Sequence, residues 1–254
     1  MIKLNRYINL LFVTLPLITI LYLSVVSAWT FPILWKAQYT LSHWKSLMDS
    51  SNGLFVSFLL SIFISGSIAV LATLFGYFIS RQLLFDKNQS RFIQLAFYPY
   101  LIAPVILGAM LQFYFVRFNL TGTTLGVFIA QAFFIFPYSV LLLSTFWNDK
   151  IRQLAFQAKS LGATDRQVNQ QVLFPMARPW ILLSLVQCFL ISWFEYGITQ
   201  YIGVGKVETL TIRAMNFVKE ANPHQAALSA CLMILPVLLI LVINQQLLTK
   251  RSMR

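Results

Sequence analysis

Acidic side chains are scarce in this chain: seven Asp and Glu stand against nineteen Lys and Arg in 254 residues. They are scattered, at Asp49, Asp86, Asp149, Asp165, Glu195, Glu208 and Glu220. A membrane-embedded enzyme would need a cluster of acids or histidines, and none is visible. Histidine is scarcer still: His43 and His224 fall in segments far apart and are expected to be solvated and partnerless. The two cysteines, Cys188 and Cys231, lie inside apolar runs without metal-ligand spacing. They read as small packing residues, and no metal site is expected.

What remains is apolar. The chain is 58% hydrophobic and 10% charged, outside the range of soluble domains. About 20 apolar residues span a bilayer as a helix, and six stretches qualify, near 8–28, 54–79, 93–116, 125–147, 180–202 and 225–248. The expected fold is all-α and integral to the membrane, a bundle of six transmembrane helices forming one domain over 1–254. Lys3 and Arg6 precede the first stretch, and Val26-Ser27-Ala28 has the look of a cleavage site. The run is longer than the apolar core of a signal peptide, so it is expected to be retained.

The net charge of +12 is mainly a topology signal rather than a nucleic-acid signal. With the N-terminus inside, thirteen Lys and Arg fall on the inner side and six on the outer side. That bias predicts both ends in the cytoplasm, with some of the inner charge available to anionic membrane lipid.

No segment between spans is long enough to fold alone. In the outside segment 29–53, Leu41, Trp44, Leu47 and Met48 have helical spacing, which predicts a short interfacial helix. Gly66, Ala69, Ala72 and Gly76 put small residues on one face of the second span, a seam for close helix packing. Pro99, Pro104, Pro137 and Pro236 lie in or near spans, where they bend helices and either are satisfied by neighbours or line a cavity.

Glu195 is the one acid inside a predicted span. A charge at depth costs about 2.5–3.5 kcal/mol on insertion scales, so it should face protein or water. At 100° per residue, Ser184, Cys188, Ser192, Glu195 and Thr199 fall within about 80° of one another, opposite Leu183, Phe189, Leu190 and Phe194. Counted from Trp180, Glu195 lies about 22 Å along the axis, in the outer third. Two readings stay open: Ser192, Glu195 and Thr199 line a translocation path, or Glu195 bonds between helices or reaches the outer interface.

The inner segment 148–178 is polar and helical. Ile151, Leu154, Ala155, Ala158 and Leu161 make an apolar stripe, and Gly162 follows, where a helix can end in a left-handed residue. Thr164 precedes Gln167 by three, a capping-box signature for a new helix, which should end before Pro175. Two short helices joined at Gly162-Ala163 are expected. Glycine there supplies either a backbone geometry or a close approach that a β-carbon forbids.

This segment resembles the cytoplasmic loop of the membrane subunits of binding-protein-dependent ATP-binding cassette (ABC) importers: Glu-Ala-Ala, three residues, Gly, nine residues, Ile-x-Leu-Pro. Ala158 matches the second Ala, Gly162 the Gly, and Val172-Leu173-Phe174-Pro175 the end, without a gap. Phe156 and Gln157 stand where the family has Glu and the first Ala, and Phe174 replaces Leu. The six-span layout is similar to that family's type I subunits. Phe194-Glu195-Tyr196-Gly197 and Val207-Glu208-Thr209-Leu210 look like the subgroup for polyamines, ferric iron, thiamine, sulfate or molybdate, with Thr211 in place of a Pro.

The resemblance implies a permease subunit in the bacterial inner membrane that forms half of a translocation pathway. It implies an ATPase-coupling loop at Ala155, Ala158, Lys159, Ser160, Leu161, Gly162, Ala163, Val172 and Pro175. The implied partners are a cytoplasmic ABC ATPase dimer, a second permease subunit, related or identical, and an extracytoplasmic solute-binding protein. No cofactor and no nucleic acid is expected, and ATP would be bound by the partner: the chain has no Gly-x-x-x-x-Gly-Lys-Ser/Thr loop. The competing reading is an ion-coupled secondary transporter, which usually carries several intramembrane ionisable groups.

Overall fold

The computed structural model describes residues 2–27, 39–48, 53–83 and 89–252. Residues 28–38, 49–52 and 84–88, which include Lys36 and Lys87, Arg254, and the side chains of Lys3, Arg6, Lys250 and Arg251 lie outside the described set. The helices are α1 (Ile2–Val25), α2 (Ser42–Lys45), α3 (Leu54–Leu83), α4 (Gln89–Phe97), α5 (Pro104–Arg117) and α6 (Thr124–Ser144). Then come α7 (Asp149–Ser160), α8 (Asp165–Gln167), α9 (Phe174–Trp193), α10 (Gly197–Gly203), α11 (Leu210–Lys219) and α12 (Pro223–Ser252). Among the described residues the only strand-like pairing is an isolated antiparallel bridge between Val26 and Tyr39.

Four helical stretches are long and apolar enough to cross a bilayer: Leu54–Leu83, Thr124–Ser144, Asp165–Trp193 and Pro223–Ile240. A fifth results if Arg91–Leu101 and Pro104–Arg117, bent by 96°, are one broken span. The described apolar part of α1, Thr14–Val25, is shorter than a span. Length and composition of the described residues therefore give an all-α membrane protein but do not reach the expected count of six.

Two expected spans are broken rather than continuous. Residues 93–116 divide at Ala103, whose backbone is extended (φ −60°, ψ 140°), the conformation that a following proline favours. Residues 180–202 divide after Trp193, and α10 begins afresh at Gly197.

The chain forms two compact units, residues 1–61 with 208–254, and residues 62–207. In the first, α1 and α11 each pack on α12. Thr209 caps α11 by accepting from Ile212 N at 3.5 Å, and Leu210 N donates to Ser61 Oγ at 2.7 Å. The expected short helix over 41–48 is present as α2 followed by a 3-10 turn, Ser46–Met48. The two histidines are not solvated and partnerless, as the sequence led us to expect. Their rings stack at 5.2 Å between centroids, 2° from parallel. His43 Nε2 lies 3.2 Å from Val26 O, and His224 Nδ1 lies 3.0 Å from Leu23 O. Because a carbonyl only accepts, both of these nitrogens carry the proton. Nothing local in sequence announces a pairing across 181 positions.

In the second unit the small-residue seam of α3 is used unevenly. Ala69 and Ala72 are buried, and a β-carbon on Gly76 would collide with the Ser139 side chain on α6, whereas Gly66 meets open space. Next to that contact lies a buried hydroxyl cluster: Ser184 Oγ is 2.9 Å from Ser139 Oγ and 3.3 Å from Thr73 Oγ1. It draws α3, α6 and α9 together at depth, where hydroxyls have no water to bond.

Helices α5 and α10 approach through two glycines. A β-carbon on Gly108 would stand 2.9 Å from Ile198 Cα, and one on Gly197 would stand 2.8 Å from Val105 N. Both obstacles are backbone, which cannot rotate away. Gly108→Ala is therefore expected to lower thermal stability in detergent, with an overpacking cost of about 1–3 kcal/mol. An unchanged melting temperature would contradict this packing.

Candidate functional site

The loop between α6 and α9 is built from local signals. Asn148 caps α7, its Oδ1 accepting from Ile151 N at 3.2 Å. At the other end Gly162 N donates to Lys159 O at 2.9 Å and Ala163 N to Ala158 O at 3.1 Å. This pair of reversed bonds is the Schellman ending, which requires a left-handed residue. Gly162 supplies it at φ +89°, with nothing within 4 Å of where a β-carbon would sit. Of the two reasons open for a glycine here, backbone geometry is the one that applies.

Thr164 and Gln167 then form the capping box. Thr164 N donates to Gln167 Oε1 at 2.8 Å, and Gln167 N donates to Thr164 Oγ1 at 3.4 Å. Lys159 and Asp165 pair at 2.6 Å across the Gly162-Ala163 turn. That ammonium holds the Asp165 carboxyl below the usual carboxylate range. Both side chains are exposed, so the pair fastens the turn only weakly.

The second helix does not stop before Pro175. Residues 168–173 form a π-helical turn that runs directly into α9. Phe174 N bonds back five residues to Asn169 O. The wider turn admits a proline that would clash with the preceding turn of an α-helix. Loop and span are thus one helical stretch, Asp165–Trp193.

The expected apolar stripe divides by burial. Ile151 and Ala155 are buried, in a core with Tyr77, Leu143, Phe146, Trp147, Val168, Leu173 and Ala177, and with Ala158 and Ala163 packed against it. Leu154, Phe156 and Leu161 face outward, Leu161 with 89% of its surface exposed. Ser160, Lys159 and Pro175 are also exposed, and Val172 is half-buried. The loop has a buried foot and an apolar tip.

The second group of predicted residues forms a closed hydrogen-bond network. Glu195 is 7% exposed. Its Oε1 accepts from Ile198 N at 2.6 Å, and its Oε2 from Thr199 N at 2.9 Å and Thr199 Oγ1 at 2.6 Å. The carboxylate thus caps the first turn of α10, where free amide donors favour an acidic group. Gln131 of α6, which sequence reasoning missed, completes the network. Its Oε1 accepts from Ser192 Oγ at 2.6 Å, and its Nε2 donates to Thr199 Oγ1 at 2.8 Å and lies 3.5 Å from Glu195 Oε2. A lone Gln in a span was the available signal.

Ser184, Cys188, Ser192, Glu195 and Thr199 are all buried, although the break at 194–196 puts Thr199 on a different helix from the first three. On the opposite side Leu183 and Phe194 are exposed, and Phe189 stacks on Trp193 at 5.6 Å.

The chain is 25% identical over 239 residues to the spermidine/putrescine transport system permease protein PotC of Escherichia coli K12, across 92% of this chain and 88% of the relative. The chain is a homologue of transport-system permeases. Two further matches cover less. PotC of Haemophilus influenzae is 25% identical over 139 residues, 53% of each chain. Sulfate permease 2, chloroplastic, of Chlamydomonas reinhardtii is 27% identical over 150 residues, 53% of this chain and 41% of the relative. With these two the homology spans about half the relative's length or less. No protein-family model matches the chain. A permease homologue with several bilayer-length apolar helices is a multi-pass membrane protein, in line with the importer-permease resemblance of the loop.

Proposed function

We propose that this chain is the permease subunit of an ATP-driven importer, forms half of the translocation pathway, and receives the work of a separate ATPase through the tip around Gly162. The observation that carries this reading is the divided loop. Its foot is packed into the membrane-helix core, while Leu161, Phe156 and Leu154 are left outward on a tip with a fixed turn. An apolar knob on the cytoplasmic side suits a socket on a soluble partner. The chain takes its orientation from the basic residues, with both termini inside, in the cell's inner membrane. A second permease completes the pathway, an extracytoplasmic binding protein delivers cargo, and ATP is bound by the ATPase dimer.

Ser192, Glu195 and Thr199 belong to the wall of the path, and with Gln131 they hold its broken helix in place. Relatives named for spermidine/putrescine match the largest share of the chain, which favours a small organic polycation as cargo.

The test is purification of the tagged chain from its native membrane, followed by reconstitution of what comes with it. A nucleotide-binding subunit should co-purify, and vesicles should take up the binding protein's ligand when given ATP without an ion gradient. Uptake driven by a proton gradient alone, with no ATPase attached, would select the secondary-transporter reading.

A further inference from the structure

The cytoplasmic end of α3 is tied to both ends of the loop. At the entrance, the indole N–H of Trp147 donates to Ser80 Oγ at 2.9 Å, one residue before the Asn148 cap of α7. At the exit, the Tyr77 hydroxyl donates to Asn169 Oδ1 at 2.9 Å, inside the π-turn that joins the loop to α9. Tyr77 is buried between two aromatic neighbours, tilted on Trp147 at 5.7 Å and edge-on to Phe174 at 6.1 Å. Its ring belongs to the same core as Ile151 and Ala155, the foot of the knob.

α9 needs no such tie, because backbone continues from the loop into it. α3 has no covalent route to the loop shorter than the whole of α4 to α6. Any movement of the tip reaches α3 through packing, which can slide, and through directional bonds, which hold register. The π-turn concentrates that requirement. Its five-residue bond at Phe174 is a local irregularity in an otherwise α-helical stretch, and such irregularities recur at functional positions. Asn169 is the residue of that turn whose side chain is bonded to another membrane helix.

We propose that Tyr77 is a positioning residue for ATP-driven transport: through its bond to Asn169 it holds α3 in register with the loop, so that displacement of the docked tip is passed to α3 as well as to α9. This rests on the loop being the ATPase contact. It adds that the Tyr77–Asn169 bond, remote from the tip, is needed for efficient energy transfer beside the Trp147–Ser80 bond at the entrance.

The experiment uses the whole reconstituted assembly and three readouts: ATPase recovered on the tagged permease, ligand uptake, and ATP hydrolysed per ligand taken up. Tyr77→Phe keeps the ring, its volume and its aromatic contacts while removing the donor. ATPase recovery should stay unchanged, while ATP consumed per ligand rises about tenfold, the scale of one buried hydrogen bond. Asn169→Leu should give the same phenotype, and Asn169→Asp, which keeps the acceptor, should couple as the parent does. The double variant Tyr77→Phe/Asn169→Leu should be no worse than either single change. A purely structural role would lower assembly or melting temperature without moving the ATP-to-ligand ratio. A ratio within about twofold of the parent in both Tyr77→Phe and Asn169→Leu overturns the proposal. Failure of the parent itself to bind an ATPase overturns instead the reading of the loop.

Discussion

Leu161→Asp is expected to produce a permease that inserts and folds normally but is purified without its ATPase. Leu161 is 89% exposed, so its replacement removes almost no internal packing. If the tip sits in a socket on the partner, the same change buries a carboxylate in an apolar pocket. Truncating an interface hot-spot residue costs about 2 kcal/mol or more, roughly a 30-fold loss of affinity, and an unpaired buried charge adds to it. Uptake should fall in parallel, while the melting temperature of the isolated chain stays put. Gly162→Glu should give a milder version. Its φ of +89° disfavours any residue with a β-carbon, at a cost of about 1–3 kcal/mol, so the turn re-aims the tip. Normal ATPase recovery in Leu161→Asp would remove the knob from the account.

Glu195→Leu should have the largest effect on the fold. The carboxylate accepts from two backbone amides at the start of α10, from the Thr199 hydroxyl and, more distantly, from Gln131. Leucine leaves these buried donors unsatisfied, at about 1–3 kcal/mol for each. The sum is comparable with the net stability of a domain. The expected result is a fall in melting temperature of about 10 °C or more, or loss of the protein from the membrane fraction. Glu195→Gln retains one acceptor oxygen and should lose less. If Glu195→Leu melts within about 2 °C of the parent, the network is not what holds α10. If it melts normally but no longer transports, the carboxylate contacts cargo.

The parts legible in the sequence are those whose causes are local. Gly162 and the Thr164–Gln167 box are decided within a few residues, and they fold as the spacing predicts; the α7 stripe forms a helix but divides into a buried and an exposed part. Pro175 does not end the helix as its type predicts, because its effect depends on the preceding turn: a proline ends an α-helix but is accommodated after a π-turn. The break at Ala103 is invisible to hydropathy, since apolar residues continue through it, and at 194–196 the only interruption is Glu195, whose lone charge does not by itself say that a helix ends. Side-chain bonds between distant helices, Tyr77 to Asn169, Gln131 to Thr199 and the stack of His43 on His224, leave no periodic trace. Glu195 stands out in the sequence as an acid in an apolar run and is buried in the structure, but its place in the run does not say that its partners are the chain's own amides.

The most direct test of the account is a photo-crosslinking residue placed at position 161 in the otherwise intact, membrane-embedded assembly. One dominant adduct is expected, joining this chain to a nucleotide-binding ATPase subunit and disappearing when the ATPase is stripped away. No adduct at that position in membranes that still transport, with uptake unaffected by ATP depletion, would contradict it.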